Sequence, residues 1–336
     1  MRSRKMKTPD AGPVYEGRPL SHWASMTLDE SFHPEPSPSA IEGMTAVQAI
    51  GPEALQYLLR WIQPPWPNSI LPSGAVRCFK ILGRRAEAAL PELVRLFETY
   101  KPRCSSSLDD LAAWQNVVEA LSWLGPKALP FLLAAAKSAD RPDVTRDIVH
   151  CLGNFGPDGI PAIADLIEWT LHPEMWIRLN AVNALGRLAQ EPDTVIPALV
   201  ACLRDTDALV RRDAAQALGR FRTAARGCVP DLVAMLEDPS WQAQTGPIIA
   251  LAQLGEREEV VLPLLARKLH DGNRIVRRCA ALALGQLGGP RAFDVLMEAA
   301  DEPDGSAREA VFQSLKKIDS AALEKSGKKF SDGCQR

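Results

Sequence analysis

One segment recurs along the chain and constrains the fold more than any other feature. It reads NAVNALGRLA at 180–189, DAAQALGRFR at 213–222 and CAALALGQLG at 279–288. We number each copy from its Leu as position zero, and equivalent residues then recur at steps of 31 to 33 residues, apart from one step of 42. A fixed period in this range indicates a solenoid of stacked repeats. The nine residues at position zero are Val47, Phe79, Leu121, Leu152, Leu185, Leu218, Leu251, Leu284 and Leu315.

Each repeat contains two predicted helices. Around position zero, apolar residues recur at −8, −4, −3 and +3, which is the period of an amphipathic helix, here called helix B. Position −1 is small in repeats two to nine, so a neighbouring helix can approach closely. A second apolar segment, helix A, precedes most B helices and has Pro as its second residue, where the first helical turn tolerates it. Left-handed glycine caps are predicted at Gly125, Gly156, Gly255 and Gly288.

These patterns predict an all-α fold, and two segments resemble a known family. Asp205–Gly219 (DTDALVRRDAAQALG) and Asp271–Gly285 (DGNRIVRRCAALALG) resemble HEAT repeats, and most closely the bacterial branch named after phycobilisome-lyase HEAT-like repeats. The resemblance covers about residues 40–319. It implies an α-solenoid, a right-handed superhelix of about nine HEAT-like helical hairpins. The segment YEGRPLSHW at 15–23 resembles an N-terminal capping helix of such arrays.

The predicted organisation is one array between two tails. Residues 1–13 are expected to be a disordered basic tail, 14–319 the solenoid (cap 14–51, repeats 52–319) and 320–336 a flexible tail. Three stretches, 32–39, 63–74 and 99–110, are predicted loops. They are interpreted either as tolerated variation or as binding loops, the second of them led by Trp66. Pro247 is expected to shorten or kink its B helix.

Composition and motifs argue against several function classes. The chain has 39 Lys and Arg against 41 Asp and Glu, and its seven Cys form no CxxC pair, which favours reduced thiols in a cytoplasm. No apolar stretch is long enough to span a membrane, and no apolar segment follows the basic N-terminus as an export signal requires. The His-Glu dipeptides of a di-iron site, a GxSxG elbow and a phosphate loop do not occur. We therefore predict no enzyme activity, no metal and no cofactor.

Charged residues recur at two positions of the repeat. Acids occupy position −13 at Asp205, Asp238, Asp271 and Glu302, and Arg occupies −7 at Arg178, Arg211, Arg277 and Arg308. Equivalent positions stack on adjacent repeats of a solenoid. The pattern predicts a structural ladder of acid and base along the edge formed by the A–B turns. A catalytic carboxylate or an anion clamp is the alternative.

Positions −6, −2 and +2 share one face of helix B, which lines the concave surface in HEAT arrays. Over repeats two to nine they hold seven Lys or Arg against two Glu. We predict a partner-binding stripe on this face, with a merely solvated face as the alternative. Its candidate residues are Arg77, Trp123, Arg146, His150, Arg187, Arg212, Gln216, Arg220 and Arg278.

Taken together, the sequence predicts a non-enzymatic scaffold that binds an acidic protein partner on the concave helix-B face. The first alternative is a bilin-lyase-like enzyme or enzyme partner, since such lyases share this repeat. The second is nucleic-acid binding through the basic stripe, which a net charge of −2 disfavours. The expected location is a bacterial cytoplasm.

Overall fold

The computed structural model describes residues 12–28, 36–66, 70–104, 106–254 and 258–327. The chain divides into two compact units, Met1–Ala162 and Ile163–Arg336, each of which is described by itself. Most of the predicted N-terminal tail, residues 328–336 of the C-terminal tail, part of the loop at 32–39 and the predicted cap Gly255 lie outside the described residues.

The first unit begins with a small hairpin and continues as helix pairs. Turns of 3₁₀ helix cover Gly51–Ala54, Gly83–Ala89 and Gly153–Ala162. The strands and α-helices are β1 (Val14–Tyr15), β2 (Arg18–Pro19), α1 (Leu20–Met26), α2 (Pro38–Ile50), α3 (Leu55–Trp61), α4 (Ile70–Leu82), α5 (Leu90–Tyr100), α6 (Leu108–Ser122), α7 (Leu129–Lys137) and α8 (Pro142–Leu152).

The second unit continues the same alternation of A and B helices. A 3₁₀ turn covers Arg222–Cys228. The α-helices are α9 (Ile163–Trp169), α10 (Met175–Leu188), α11 (Pro192–Cys202), α12 (Ala208–Arg220), α13 (Val229–Met235), α14 (Trp241–Gln253), α15 (Glu258–Lys268), α16 (Arg274–Leu287), α17 (Gly289–Glu298) and α18 (Gly305–Lys325). In both units the odd-numbered helices occupy the A position and the even-numbered helices the B position.

The repeat register positions the core. All nine residues at position zero are completely buried, one in each B helix from α2 to α18. Consecutive B helices pack on one another within each unit. Gly186 and Gly219, at position +1, lie against Ala217 and Ala250, the small −1 residues of the next repeat, so closely that an added Cβ would come within 3.0 Å. The prediction of an α-solenoid is confirmed, because every B helix buries the face that the register assigns to it.

The N-terminal cap differs from its prediction. The segment at 15–23 was expected to be helical, but α1 starts only at Leu20, and residues before it form an antiparallel hairpin that pairs Val14 with Pro19. Glu16 and Gly17 both have positive φ, as a two-residue hairpin turn requires. The buried Trp23 indole N–H donates to the carbonyl oxygens of Tyr15 and Arg18, both at 3.1 Å, which fastens the hairpin to α1.

Several predicted breaks in the helices are wrong in detail. Pro247 does not shorten α14, which has 13 residues like its neighbour α12. The stretch at 63–74 is helical from Ile70, because Pro72 falls in the first turn of α4. Residues 320–325 of the predicted tail are helical, after a break at Asp319. Gly156 and Gly288 have positive φ as expected, but ψ values of −133° and −167° place them outside the left-handed helical region.

Within the described residues, no helix is both long and apolar enough to cross a membrane.

Candidate functional site

Three arginines at position −7 of the second unit each bind an acid of the following repeat. Arg178 donates from Nε and Nη2 to Asp205 at 2.8 and 2.9 Å, and Arg211 binds Asp238 with the same two distances. Arg277 donates to Glu302 from Nη2 at 2.8 Å. The paired side chains are only 9–16% exposed. The A–B turn edge of the second unit therefore carries a series of two-point ion pairs between successive repeats.

Each pair also holds the turn in which it lies. Nη1 of Arg211 donates to the carbonyl oxygens of Asp205 and Thr206, at 2.8 and 3.2 Å. The carboxylate of Asp205 accepts the backbone N–H of Asp207 at 2.8 Å, and that of Asp238 accepts the N–H of Ser240 at 2.9 Å. One arginine thus connects two acidic turns, and most of its donors are used inside the protein.

The ladder acids are strongly held in their charged form. Burial opposes the charge of Asp205, but hydrogen bonds from Arg178 and from the backbone N–H of Asp207 outweigh it and hold the pKa of Asp205 below its ordinary value. Burial likewise opposes the charge of Asp238, where Arg211 and the N–H of Ser240 lower the pKa. A carboxylate that stays ionised and fully bonded is poorly suited to general acid or base work.

The ladder has one substitution inside it. Repeat seven has Gln244 at position −7, where its neighbours have arginine. Gln244 donates to the carbonyl oxygen of Asp238 at 2.8 Å, and its own side-chain oxygen accepts from Nζ of Lys268 at 3.1 Å. Lys268, which is buried, also reaches Asp271 at 3.3 Å. A lysine from helix A therefore supplies the charge that arginine supplies elsewhere.

In the first unit, the predicted stripe residues have distinct environments. Arg146 donates to the adjacent Asp147 at 3.0 and 2.8 Å, and Asp147 also accepts the indole N–H of the buried Trp114 at 3.0 Å. His150 is exposed on α8. Arg77 lines a cavity on α4, and the ring of Trp123 lies 4.9 Å from Nζ of Lys80. The described geometry thus neutralises Arg146 within its own helix.

In the second unit, one arginine of the stripe binds an aspartate of its own helix, and two others are exposed. Arg212 donates to the adjacent Asp213 at 2.6 Å, and Asp213 also accepts from Asn183 of the preceding repeat at 2.6 Å. Arg220 and Arg278 are exposed. Arg187 and Gln216, the remaining stripe residues of this unit, are half-buried.

The Arg-Asp pairs on helix B are a feature that the sequence analysis missed. Arg146-Asp147 and Arg212-Asp213 occupy the same positions, −6 and −5, two repeats apart. In each, the aspartate binds a side chain of the preceding repeat, Trp114 or Asn183. The recurrence of the Arg-Asp dipeptide at the same two positions is the sequence signal that could have predicted these pairs. The two aspartates place negative charges beside stripe positions that, counted alone, are strongly basic.

The described residues offer little for nucleophilic or metal chemistry. Their six cysteines are all free, and burial raises the pKa of the Cys78 thiol to about 12, which keeps it protonated and unreactive. No cluster of three or more His, Cys, Asp or Glu in the described part of the chain is arranged to hold a metal ion.

Comparison with known families assigns the second unit. The family model for HEAT repeats matches residues 163–228 and 229–316. The match covers just under half of the chain. Its boundaries follow the helix pairs of the second unit, and the ladder described above lies within the matched residues.

Solved structures are similar to this chain at low sequence identity. The karyopherin Kap121p, in a structure titled as bound to the extreme C-terminus of the protein phosphatase Cdc14p, has a TM-score of 0.54 and 14% identity. The match covers 83% of this chain and 35% of the karyopherin, so the chain spans about a third of that protein's length. The complex of CpcE and CpcF of phycocyanin lyase from Nostoc sp. PCC7120 has a TM-score of 0.41 and 21% identity, over 66% of this chain and 94% of that one. At 14% identity, the similarity to the karyopherin indicates a shared fold and not a shared activity. A comparison with curated proteins finds no match.

Proposed function

We propose that the protein is a scaffold that binds an acidic segment of a protein partner on the B helices of its HEAT array. The observation that carries the proposal is the contrast among the arginines of the second unit. Arg178, Arg211 and Arg277 at position −7, together with Arg212, have carboxylate partners. Arg220 and Arg278 are exposed and form no ion pair with any residue of the described ranges. Two unneutralised charges, on the B helices α12 and α16, favour an acidic ligand.

The surface around these charges is mixed in character. We call Arg187, Gln216, Arg220, Arg278 and Leu282, which lie on the B helices α10, α12 and α16, the arginine patch. Cδ of Arg220 lies within 3.7 Å of the position where a Cβ on Gly186 would stand, so Arg187 and Arg220 are near neighbours. Leu282 is 42% exposed, one helical turn from Arg278 on α16. A segment with acidic and apolar residues matches both properties of this patch.

The fold supports binding rather than catalysis. Stacked repeats present an extended, rigid row of helix faces whose exposed residues can vary without disturbing the core. The karyopherin that shares this fold is described as bound to the terminal segment of another protein. We extend that mode of binding to this chain as part of the proposal. The concave position of the patch and the cytoplasmic location remain predictions from the sequence.

The experiment compares charge reversals on and off the patch. The full chain and its Arg220→Glu and Arg278→Glu variants are used to capture partners, and the purified partner is then titrated by calorimetry. We expect each reversal to weaken binding about fivefold to tenfold, because a repulsion replaces an attraction. Arg204→Glu is the matched control, since Arg204 is exposed beyond the end of α11 and outside the patch.

Salt dependence gives a second readout for the same complex. Attraction between exposed charges is screened over about 10 Å at about 0.1 M salt, so binding should weaken as salt is added. The proposal fails if both patch reversals bind like Arg204→Glu. It also fails if recovery of the captured material is abolished by nuclease, which would identify nucleic acid as the ligand.

A further inference from the structure

Two exposed tryptophans lie at the start of B helices in the second unit and have no role in the proposed function. Trp176 is the second residue of α10 and is 49% exposed, and Trp241 is the first residue of α14 and is 40% exposed. The half-buried Leu209 is the second residue of α12, which packs against both of these helices. We call these three residues the tryptophan edge. It runs along the A–B turns of three successive repeats, beside the ladder.

The backbone that carries each tryptophan is held by hydrogen bonds. Before α10, Nη1 of Arg178 donates to the carbonyl oxygens of His172 and Pro173, both at 3.0 Å. Before α14, the Asp238 carboxylate accepts the backbone N–H of Ser240 at 2.9 Å. A ligand therefore has little of the protein to order when it binds, and tryptophan is among the residues that contribute most to binding at protein interfaces.

The chemistry of the edge favours a neutral ligand that accepts hydrogen bonds. Neither indole N–H has a partner among the residues that the structure describes, so both can donate to a ligand. The exposed charges on the same turns have both signs, since Glu174 and Arg204 are exposed and Glu237 pairs with Arg267. A ligand with a strong net charge of either sign gains little from such a surface.

The exposed area of the edge suits a short segment. Three partly exposed side chains of this size offer roughly 300 Å² in all. A stable complex of folded proteins, including a dimer, buries about 800 Å² on each partner. A second copy of the chain would therefore need much more surface than this edge provides.

The spacing along the edge favours one backbone conformation. Packed helices lie about 8–10 Å apart, so successive repeats present their contacts at that interval. A polyproline II helix advances about 9 Å in each three-residue turn and thus presents one residue of a given face to each repeat. A β-strand places same-side residues about 7 Å apart and loses register with the repeats.

We propose that the tryptophan edge binds a proline-rich segment of another protein in the polyproline II conformation. Its proline rings pack on the exposed indole rings, as in other aromatic surfaces that recognise such segments. Its carbonyl oxygens, which form no internal hydrogen bonds in this conformation, accept from the two indole N–H groups. The proposal does not depend on the arginine patch, and charge reversal at Arg220 leaves its test unchanged.

The test uses a capped deca-proline peptide and a capped glycine-serine peptide of the same length. Calorimetry on the full chain gives the affinity, and the indole N–H signals in proton–nitrogen NMR give the location. We expect deca-proline to shift the signals of Trp176 and Trp241. It should bind at least about tenfold more tightly than the flexible peptide, because it is preformed and offers apolar rings.

Matched variants assign the binding to the two tryptophans. Trp176→Ala and Trp241→Ala should each weaken the binding of deca-proline at least about fivefold. Trp176→Phe keeps an aromatic ring without the N–H and should fall between Trp176→Ala and the wild type. Leu282→Ala, which truncates an exposed apolar residue outside the edge, is the control and should bind like the wild type. Circular dichroism checks that all variants are folded.

Three results would overturn the proposal. The first is equal affinity for deca-proline and the glycine-serine peptide. The second is a tryptophan-to-alanine variant that binds deca-proline like Leu282→Ala. The third is sedimentation of the wild type, but not of the tryptophan variants, with vesicles of neutral phosphatidylcholine, which would identify a lipid surface as the ligand.

Discussion

Neighbouring side chains, more than residue type, determine what each arginine on the B helices can do. Arg212 and Arg220 lie two turns apart on one face of α12. Asp213 follows Arg212, is 6% exposed and accepts hydrogen bonds from Arg212 and Asn183. Arg220 is followed by the apolar Phe221 and is exposed. The first arginine stabilises the array, whereas the second is available to a ligand.

Charge reversal at Arg212 is therefore expected to reduce stability. Arg212→Glu removes one partner of a buried carboxylate and places a second negative charge beside it. Losses of charged hydrogen bonds in such settings cost about 1–3 kcal/mol. Arg220→Glu should change stability by less than about 0.5 kcal/mol, as exposed substitutions usually do. Urea denaturation of both variants measures the difference, and equal midpoints would show that the Arg212–Asp213 contact contributes nothing.

At the level of helices and turns, the ion pair between repeats seven and eight is formed by different residues from those elsewhere in the ladder. The buried Lys268 reaches Asp271 and the side-chain oxygen of Gln244, and its Nζ also lies 3.6 Å from the exposed Glu237. Lys268→Met should lower the free energy of unfolding by about 1–3 kcal/mol, because Asp271 loses its cation. Adding Gln244→Arg should restore much of this loss, since it re-creates the arginine of the neighbouring repeats.

A double-mutant cycle tests this exchange of roles. The full set is the wild type, Lys268→Met, Gln244→Arg and the double variant, each unfolded by urea. In the wild-type background, Gln244→Arg should be neutral or destabilising, because Lys268 already occupies the site and like charges repel. If Gln244→Arg has the same effect in both backgrounds, the two side chains do not substitute for one another.

The ladder acids also make stability depend on pH. The pKa values of Asp205 and Asp238 are lowered in the folded protein, so their stabilisation is present above the ordinary aspartate pKa of about 4. It is lost as pH falls through the lower, folded-state values. Urea midpoints should therefore hold from about pH 7 to about pH 5 and fall below about pH 4. Asp238→Asn should flatten that fall, and an unchanged acid profile in this variant would contradict the assignment.

At the scale of the whole molecule, the helix period was enough to predict the architecture. Burial alone determines which face of each B helix is apolar, so nine positions spaced along the chain could be assigned to the core before any contact was known. The ladder partners could be proposed in the same way, because equivalent positions of stacked repeats become neighbours. Non-local order of this kind is encoded once per repeat and is therefore visible in a single sequence.

The period could not predict features that depend on particular rotamers and turns. It places Arg146 and Arg212 on the exposed face of their helices, but it does not show that each side chain folds back onto the next residue. The N-terminal hairpin depends on two residues with positive φ and on one indole N–H that binds two carbonyl groups. The hairpin occurs only once, so the repeat period carries no information about it. The composition of the segment resembles that of a helix, and a helix was predicted there instead.

A quasi-one-dimensional array should also respond to damage locally. Leu218 is fully buried at position zero of α12, so Leu218→Ala should cost about 2–5 kcal/mol. Because each repeat contacts mainly its neighbours, amide exchange should accelerate most in α10, α12 and α14, and least in the first unit. Hydrogen exchange read by mass spectrometry measures this profile, with Arg204→Glu as a surface control. Uniform acceleration along the whole chain would instead indicate a single cooperative unit, and a midpoint no lower than that of the control would show that position zero is not the core of its repeat.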